Sequence, residues 1–292
     1  MKSTRTGDPA AARAPAPTDY REIVARFYDG TTKPSLVNRL LFDGSEYSNY
    51  GYWRADTATP GEACDNLMAE LLKYIPDKKG KILDVACGKG ATTRYLCKYY
   101  DPSSVVGINI SKQQLKKCEQ NAPGCTFLEM DATNMDFPDA SFHNVICVEA
   151  AFHFDTRQKF LNEAQRVLKP GGRLLLADML LPREALHQPP ANVVKDVDAY
   201  RALLRQANFT GLEIVDATDP CIGGRFEYMG RVMRERITRP AARRALAYQV
   251  GREVERRWRE QVYLLVACVK PGSSPAKAKS RRQGRKATKP DG

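Results

Sequence analysis

No run of eighteen apolar residues occurs in this chain, and its first eighteen residues, MKSTRTGDPAAARAPAPT, lack the apolar stretch of a signal peptide. The first absence argues against a membrane-spanning helix and the second against export, so the expectation is a soluble, cytoplasmic protein. The eight cysteines are scattered and include no C-x-x-C pair. Neither a zinc site nor a disulfide framework is indicated, and they read as small buried residues kept reduced. No metal site is expected, and no internal repeat is evident.

What is abundant is positive charge, +12 in 292 residues, but it is concentrated at the ends. Residues 273–292 contribute +6 and residues 1–18 contribute +2, leaving +4 for the body between. Charged, Pro/Ala/Ser-rich ends cannot bury enough apolar surface to offset their ordering entropy, so both read as disordered tails. The C-terminal tail reads first as a solvating segment and second as one that binds RNA or an acidic surface.

Along the body, strand-like and helix-like segments alternate, the pattern of an α/β domain with a largely parallel sheet. The expected strands are KILDVAC, SVVGINI, CTFLEMDA, HNVICVEAAF, KPGGRLLLADML, GLEIVDAT and EQVYLLVACVKP. The fourth is the most apolar and is expected at the centre. Ser111 is placed to cap the helix SKQQLKKCEQN, and Phe160, Leu161, Ala164 and Val167 fall at helical spacing. Two regions break the alternation. Residues 19–76 read as a helical cap carrying the aromatic cluster EYSNYGYW, and 222–258 as an Arg-rich helical lid inserted before the last strand of a domain spanning 77–272.

The first strand runs into a Gly-rich turn, ACGKGATT, the kind of strand-to-helix turn that holds a ligand against free N–H groups. A dinucleotide fingerprint needs a third glycine that is missing here, and an acid at the end of the second strand where this chain has Asn109. The NAD reading weakens accordingly.

The ordered set ILDVACGKG, GINIS, MDATNMDFPDASFHNVICVEAAFHF and VLKPGGRLLLADM resembles the class I S-adenosylmethionine-dependent methyltransferases. Within them it is most similar to bacterial small-molecule O-methyltransferases of the rebeccamycin-sugar type and their sterol and tocopherol methyltransferase relatives. The likeness is strong from about 80 to 180, and departs from the pattern at Ala86, where a Gly is usual, and at Asn109. It implies a Rossmann-like, seven-stranded, mostly parallel sheet with helices on both faces, S-adenosylmethionine as cofactor, and a small-molecule methyl acceptor, with the protein a monomer or homodimer. A nucleic-acid methyltransferase is disfavoured, because VEAAFHF stands where base-amino enzymes carry an N-P-P-Y type motif.

On that likeness, Asp84 holds the cofactor's ammonium while Ala86 and Gly88 let the backbone approach. Asn109 pairs with the ribose, assisted by Gln114; Asp131 and Ala132 read the adenine; Tyr28, Ile110 and Glu149 complete the cofactor set. Asp84 could instead cap a turn. Among His143, His153 and His187, only His153 follows the fourth strand at the edge where ligands of open α/β sheets bind. Positions matching His153 and Asp178 act in the family as base and partner, the acid orienting the imidazole; packing is the other role for a histidine between Phe152 and Phe154. The aromatic and Met-bearing cap and lid suggest a bulky, partly apolar acceptor such as a polyketide, glycoside or isoprenoid. The expected chemistry is methyl transfer to a hydroxyl, with a carbon or nitrogen acceptor as the alternative.

Overall fold

Alternation along the strands sorts their side chains onto the two faces of one sheet. Leu83 and Val85 of the first strand join a core with Val145, Leu174 and Val266, while Ile82 joins the opposite core with Val105, Ile146, Leu175 and Leu265. A sheet buried on both faces requires apolar residues at odd and even positions alike, which is why the central strands read as continuous apolar runs. The computed structural model describes residues 19–32, 42–183, 185, 188–236 and 261–272. The expected tails, part of the cap, the lid beyond 236 and His187 lie outside the described residues.

The strands are β1 (Ile82–Val85), β2 (Val105–Asn109), β3 (Thr126–Glu129), β4 (Phe142–Val148), β5 (Leu168–Leu180), β6 (Thr210–Asp216) and β7 (Val262–Val269), in the spatial order β3-β2-β1-β4-β5-β7-β6. Strands β1 to β5 pair in parallel, and β7 runs antiparallel between β5 and β6. The expected strands are all present. The order reverses between β1 and β4, and such a switch opens a crevice at the C-terminal strand ends, where ligands bind.

The helices are α1 (Tyr20–Thr31), α2 (Pro60–Leu72), α3 (Ala91–Leu96), α4 (Lys112–Asn121), α5 (Arg157–Val167), α6 (Val197–Gln206) and α7 (Gly224–Arg236). Ser111 caps α4 as expected, its hydroxyl accepting the Gln114 N–H at 3.1 Å. Phe160, Leu161, Ala164 and Val167 form the buried face of α5. Gly90 starts α3 in the left-handed region, and a Cβ there would lie 2.8 Å from Cys118 Cα, so only glycine lets α3 and α4 pack this closely. The cysteines are free, but four of them meet in pairs, Cys87 with Cys118 at 3.8 Å and Cys97 with Cys125 at 3.3 Å between sulfurs. No helix among the described residues is long and apolar enough to cross a membrane.

Candidate cofactor and active site

Four strand ends and one helix line a cavity at the C-terminal edge of the sheet. The turn after β1 supplies Ala86, Gly88 and Lys89; the end of β2 supplies Asn109, Ile110 and Gln114; the residues after β3 supply Asp131 and Ala132; and those after β4 supply Glu149 and His153. Helix α1 closes the open side through Arg21 and Tyr28. Three polar contacts fasten it. Arg21 pairs with Asp131 at 3.3 Å, the Ser111 hydroxyl donates to Asp29, and the Tyr28 hydroxyl lies 2.9 Å from His153 Nε2.

Ten of the twelve residues singled out from the sequence therefore share one cavity. Asp84 and Asp178 do not line it. Asp84 is buried and its Oδ2 accepts the hydroxyls of both Thr92 and Thr93 at 2.7 Å, so it pins the start of α3 beneath the turn. Burial raises its carboxyl to about 6, against these two hydrogen bonds.

The expected link from Asp178 to His153 is corrected. Asp178 is fully buried and accepts Arg157 Nε at 2.7 Å, the Tyr200 hydroxyl at 2.9 Å and the Met179 N–H at 2.8 Å. Arg157, also buried, donates further to the backbone oxygens of Asn192 and Met179. A buried carboxylate takes the strongest donor within reach, and the forked guanidinium 21 residues earlier supplies it. That partner was missed because the pair shares no element and no periodicity.

Asn109 is also used differently from expectation. Its amide nitrogen donates to Gly88 O at 3.1 Å and to Gln114 Oε1 at 2.8 Å, while its oxygen accepts the Ser111 N–H. Gln114 is thereby held by its oxygen, and its buried Nε2 has no partner. An orphaned amide donor on a cavity wall at the end of β2 fits a ribose hydroxyl oxygen, because an unmet buried donor costs about 1–3 kcal/mol. Ala86 sits at φ 56°, where a Cβ adds about 1–2 kcal/mol of strain that the usual glycine avoids.

The charge of the cavity discriminates between cofactors. Among the described residues, Glu46, Asp131, Glu149 and Asp155 line it with Arg21 and Lys89, an acidic balance that suits a cation such as a sulfonium better than the pyrophosphate of a dinucleotide. Among the described residues no group of three or more His, Cys, Asp or Glu is placed to hold a metal ion.

Glu149 occupies the end of β4 at φ 51°, with Oε1 accepting the Tyr50 N–H at 2.7 Å and the Tyr263 hydroxyl at 2.6 Å. Burial pushes its carboxyl up from 4.5 to about 7 despite these bonds. Between the ordinary and raised values of Asp84 and Glu149 the folded protein binds more protons than the unfolded chain. Their contribution to stability is therefore complete in acid and declines as pH rises to about 7. Glu149→Gln keeps the accepting oxygen and removes the charge, so urea unfolding from about pH 5 to 8 should show a flatter decline than wild type. An unchanged slope would mean that Glu149 ionises in the fold without penalty.

The remaining candidates divide. Of the cap aromatics, Tyr47 lines the cavity and donates to Asp65 at 2.6 Å, whereas Trp53 stacks on Tyr228 with centroids 4.8 Å apart. His143 lies at the opposite edge of the sheet, accepting the Lys81 N–H at 3.1 Å.

Residues 83–176 match the methyltransferase domain family. The chain is 34% identical over 192 residues to the 27-O-demethylrifamycin SV methyltransferase of Amycolatopsis mediterranei, covering 60% of this chain and 69% of that one. It is 33% identical over 225 residues to an O-methyltransferase of Penicillium expansum, covering 70% and 76%. This chain belongs to the S-adenosylmethionine-dependent methyltransferases. A solved [4+2]-cyclase, SpnF, superimposes on the methyltransferase with a TM-score of 0.66 at 22% identity, covering 92% of this chain and 100% of that one. The fold is thus shared with a different reaction, and the sequence relatives, not the architecture, carry the assignment of this methyltransferase.

Proposed function

We propose that this small-molecule methyltransferase methylates a hydroxyl oxygen of a specialised metabolite, with His153 as general base. The observation that carries the reading is the position of His153 Nε2 on the cavity wall, 2.9 Å from a hydroxyl, that of Tyr28. Burial and the nearby Glu149 charge raise the Tyr28 phenol, so it stays protonated at neutral pH. With the imidazole proton on Nδ1, the tautomer a base requires, Nε2 accepts the Tyr28 hydroxyl proton in this contact.

When bound, S-adenosylmethionine supplies a methyl group already made electrophilic by the positive sulfur. The chain's own residues then have three tasks. Gln114, Asp131 and the Ala86 to Gly88 turn hold the cofactor; α1 excludes water; and His153 takes the acceptor's hydroxyl proton at Nε2, where the acceptor replaces Tyr28. The names of the two relatives support oxygen as the acceptor atom.

The test uses methyl-¹³C-labelled cofactor and a panel of hydroxylated polyketide, glycoside and isoprenoid acceptors, with the product read by the carbon shift of the transferred methyl. An O-methyl resonance is expected. Label appearing only on carbon or nitrogen would overturn the hydroxyl reading.

A further inference from the structure

With Asp84 held beneath the turn after β1 by Thr92 and Thr93, the partner expected for the cofactor's ammonium does not line the cavity. The strand order β3-β2-β1-β4 indicates where that end of the cofactor belongs. With the adenine at Asp131 and Ala132 after β3, and the ribose at Gln114 beyond β2, the amino-acid end falls at the turn after β1. In that turn Gly88 and Gly90 both have positive φ, 56° and 85°. Beyond its two chain neighbours, no atom lies within 4 Å of where a Gly88 Cβ would stand, so the backbone is open to close approach.

Lys89 stands between these glycines and lines the cavity. Its side chain, 12% exposed, pairs at 2.9 Å with Glu46, a residue of the cap that lines the same cavity. The other ion pair between described lining residues, Arg21 with Asp131, lies at the far end after β3. An amino acid carries its carboxylate and its ammonium on one carbon, so its site needs one charge of each sign side by side. Lys89 and Glu46 supply them at the required turn. Neither is exhausted by the other, because an ammonium has three donors and a carboxylate about four acceptor positions.

We propose that Lys89 and Glu46 form a clamp for the amino-acid end of the cofactor, Lys89 taking its carboxylate and Glu46 its ammonium. Because Glu46 belongs to the cap and Lys89 to the turn, a cofactor bearing both charges also fastens the cap to the sheet. The proposal rests on the methyltransferase reading of the same cavity.

The test titrates the full chain by calorimetry with S-adenosylhomocysteine, its decarboxylated analogue and its deaminated analogue. Wild type is expected to bind S-adenosylhomocysteine about tenfold tighter than either analogue, the scale of one charge-assisted hydrogen bond. Lys89→Met should erase the preference over the decarboxylated analogue and keep the preference over the deaminated one. Glu46→Gln should do the reverse, and Lys89→Arg, which keeps the charge, should retain the wild-type order. The pair is partly exposed, so the variants should melt close to wild type without ligand. A residue that only braces the cap would weaken all three probes alike or none of them, and either result would overturn the clamp. So would a preference that survives in both variants. Equal binding of the three probes to wild type would overturn it as well, and leave the cofactor reading intact. Failure of wild type to bind any of them would instead strike the cofactor reading, and the clamp with it.

Discussion

Turnover of the His153→Ala protein is expected to fall about 10²- to 10⁴-fold, the usual contribution of a general base, with affinity for S-adenosylhomocysteine unchanged. The imidazole is positioned by its surroundings: it follows β4 in a short 3₁₀ turn, meets Tyr28 edge-on and packs against Phe152. These contacts orient the imidazole, so the loss should appear chiefly in kcat. Oxygen acceptors need a proton removed, whereas a neutral amine or an electron-rich carbon can attack the methyl group without such a base. A folded variant with near-normal turnover would therefore move the acceptor from oxygen to nitrogen or carbon and reduce His153 to a packing residue.

Asp178→Ala is expected to destabilise the fold by about 3–5 kcal/mol, because it leaves the Arg157 guanidinium buried without its counter-charge. A loss of that size is a large fraction of the stability of an ordinary domain. Urea unfolding of the single variants and of an Asp178→Leu, Arg157→Met double variant would separate the roles. The double variant should recover much of the loss, since a matched apolar pair removes both charges together. If Asp178→Asn kept full stability yet abolished turnover and altered its pH dependence, the carboxylate would be acting on His153 after all. The neighbours of Asp178 argue for the first result: its described partners are Arg157, Tyr200 and a backbone N–H, all buried.

Much of the architecture was legible without coordinates, because the strands and helices are local patterns. The apolar strand segments, the Ser111 cap and the α5 apolar spacing each depend on neighbours a few residues away, and each is present in the fold. The likeness to a known family implied one site for Gly88, Asn109, Asp131 and His153, and they line one cavity, since in a parallel sheet successive strand ends fall on the same edge.

The sequence by itself thus determined the sheet, the edge that binds ligand and the residue types gathered there. Tertiary packing alone decided which polar atoms face the ligand and which face one another. Asp84 turns to Thr92 and Thr93, Asn109 holds Gln114, and Asp178 takes Arg157. The physical reason is that a buried polar group selects its partner by distance and angle within a few ångströms, and residues 21 positions apart, such as Arg157 and Asp178, reach that range only after the sheet has formed.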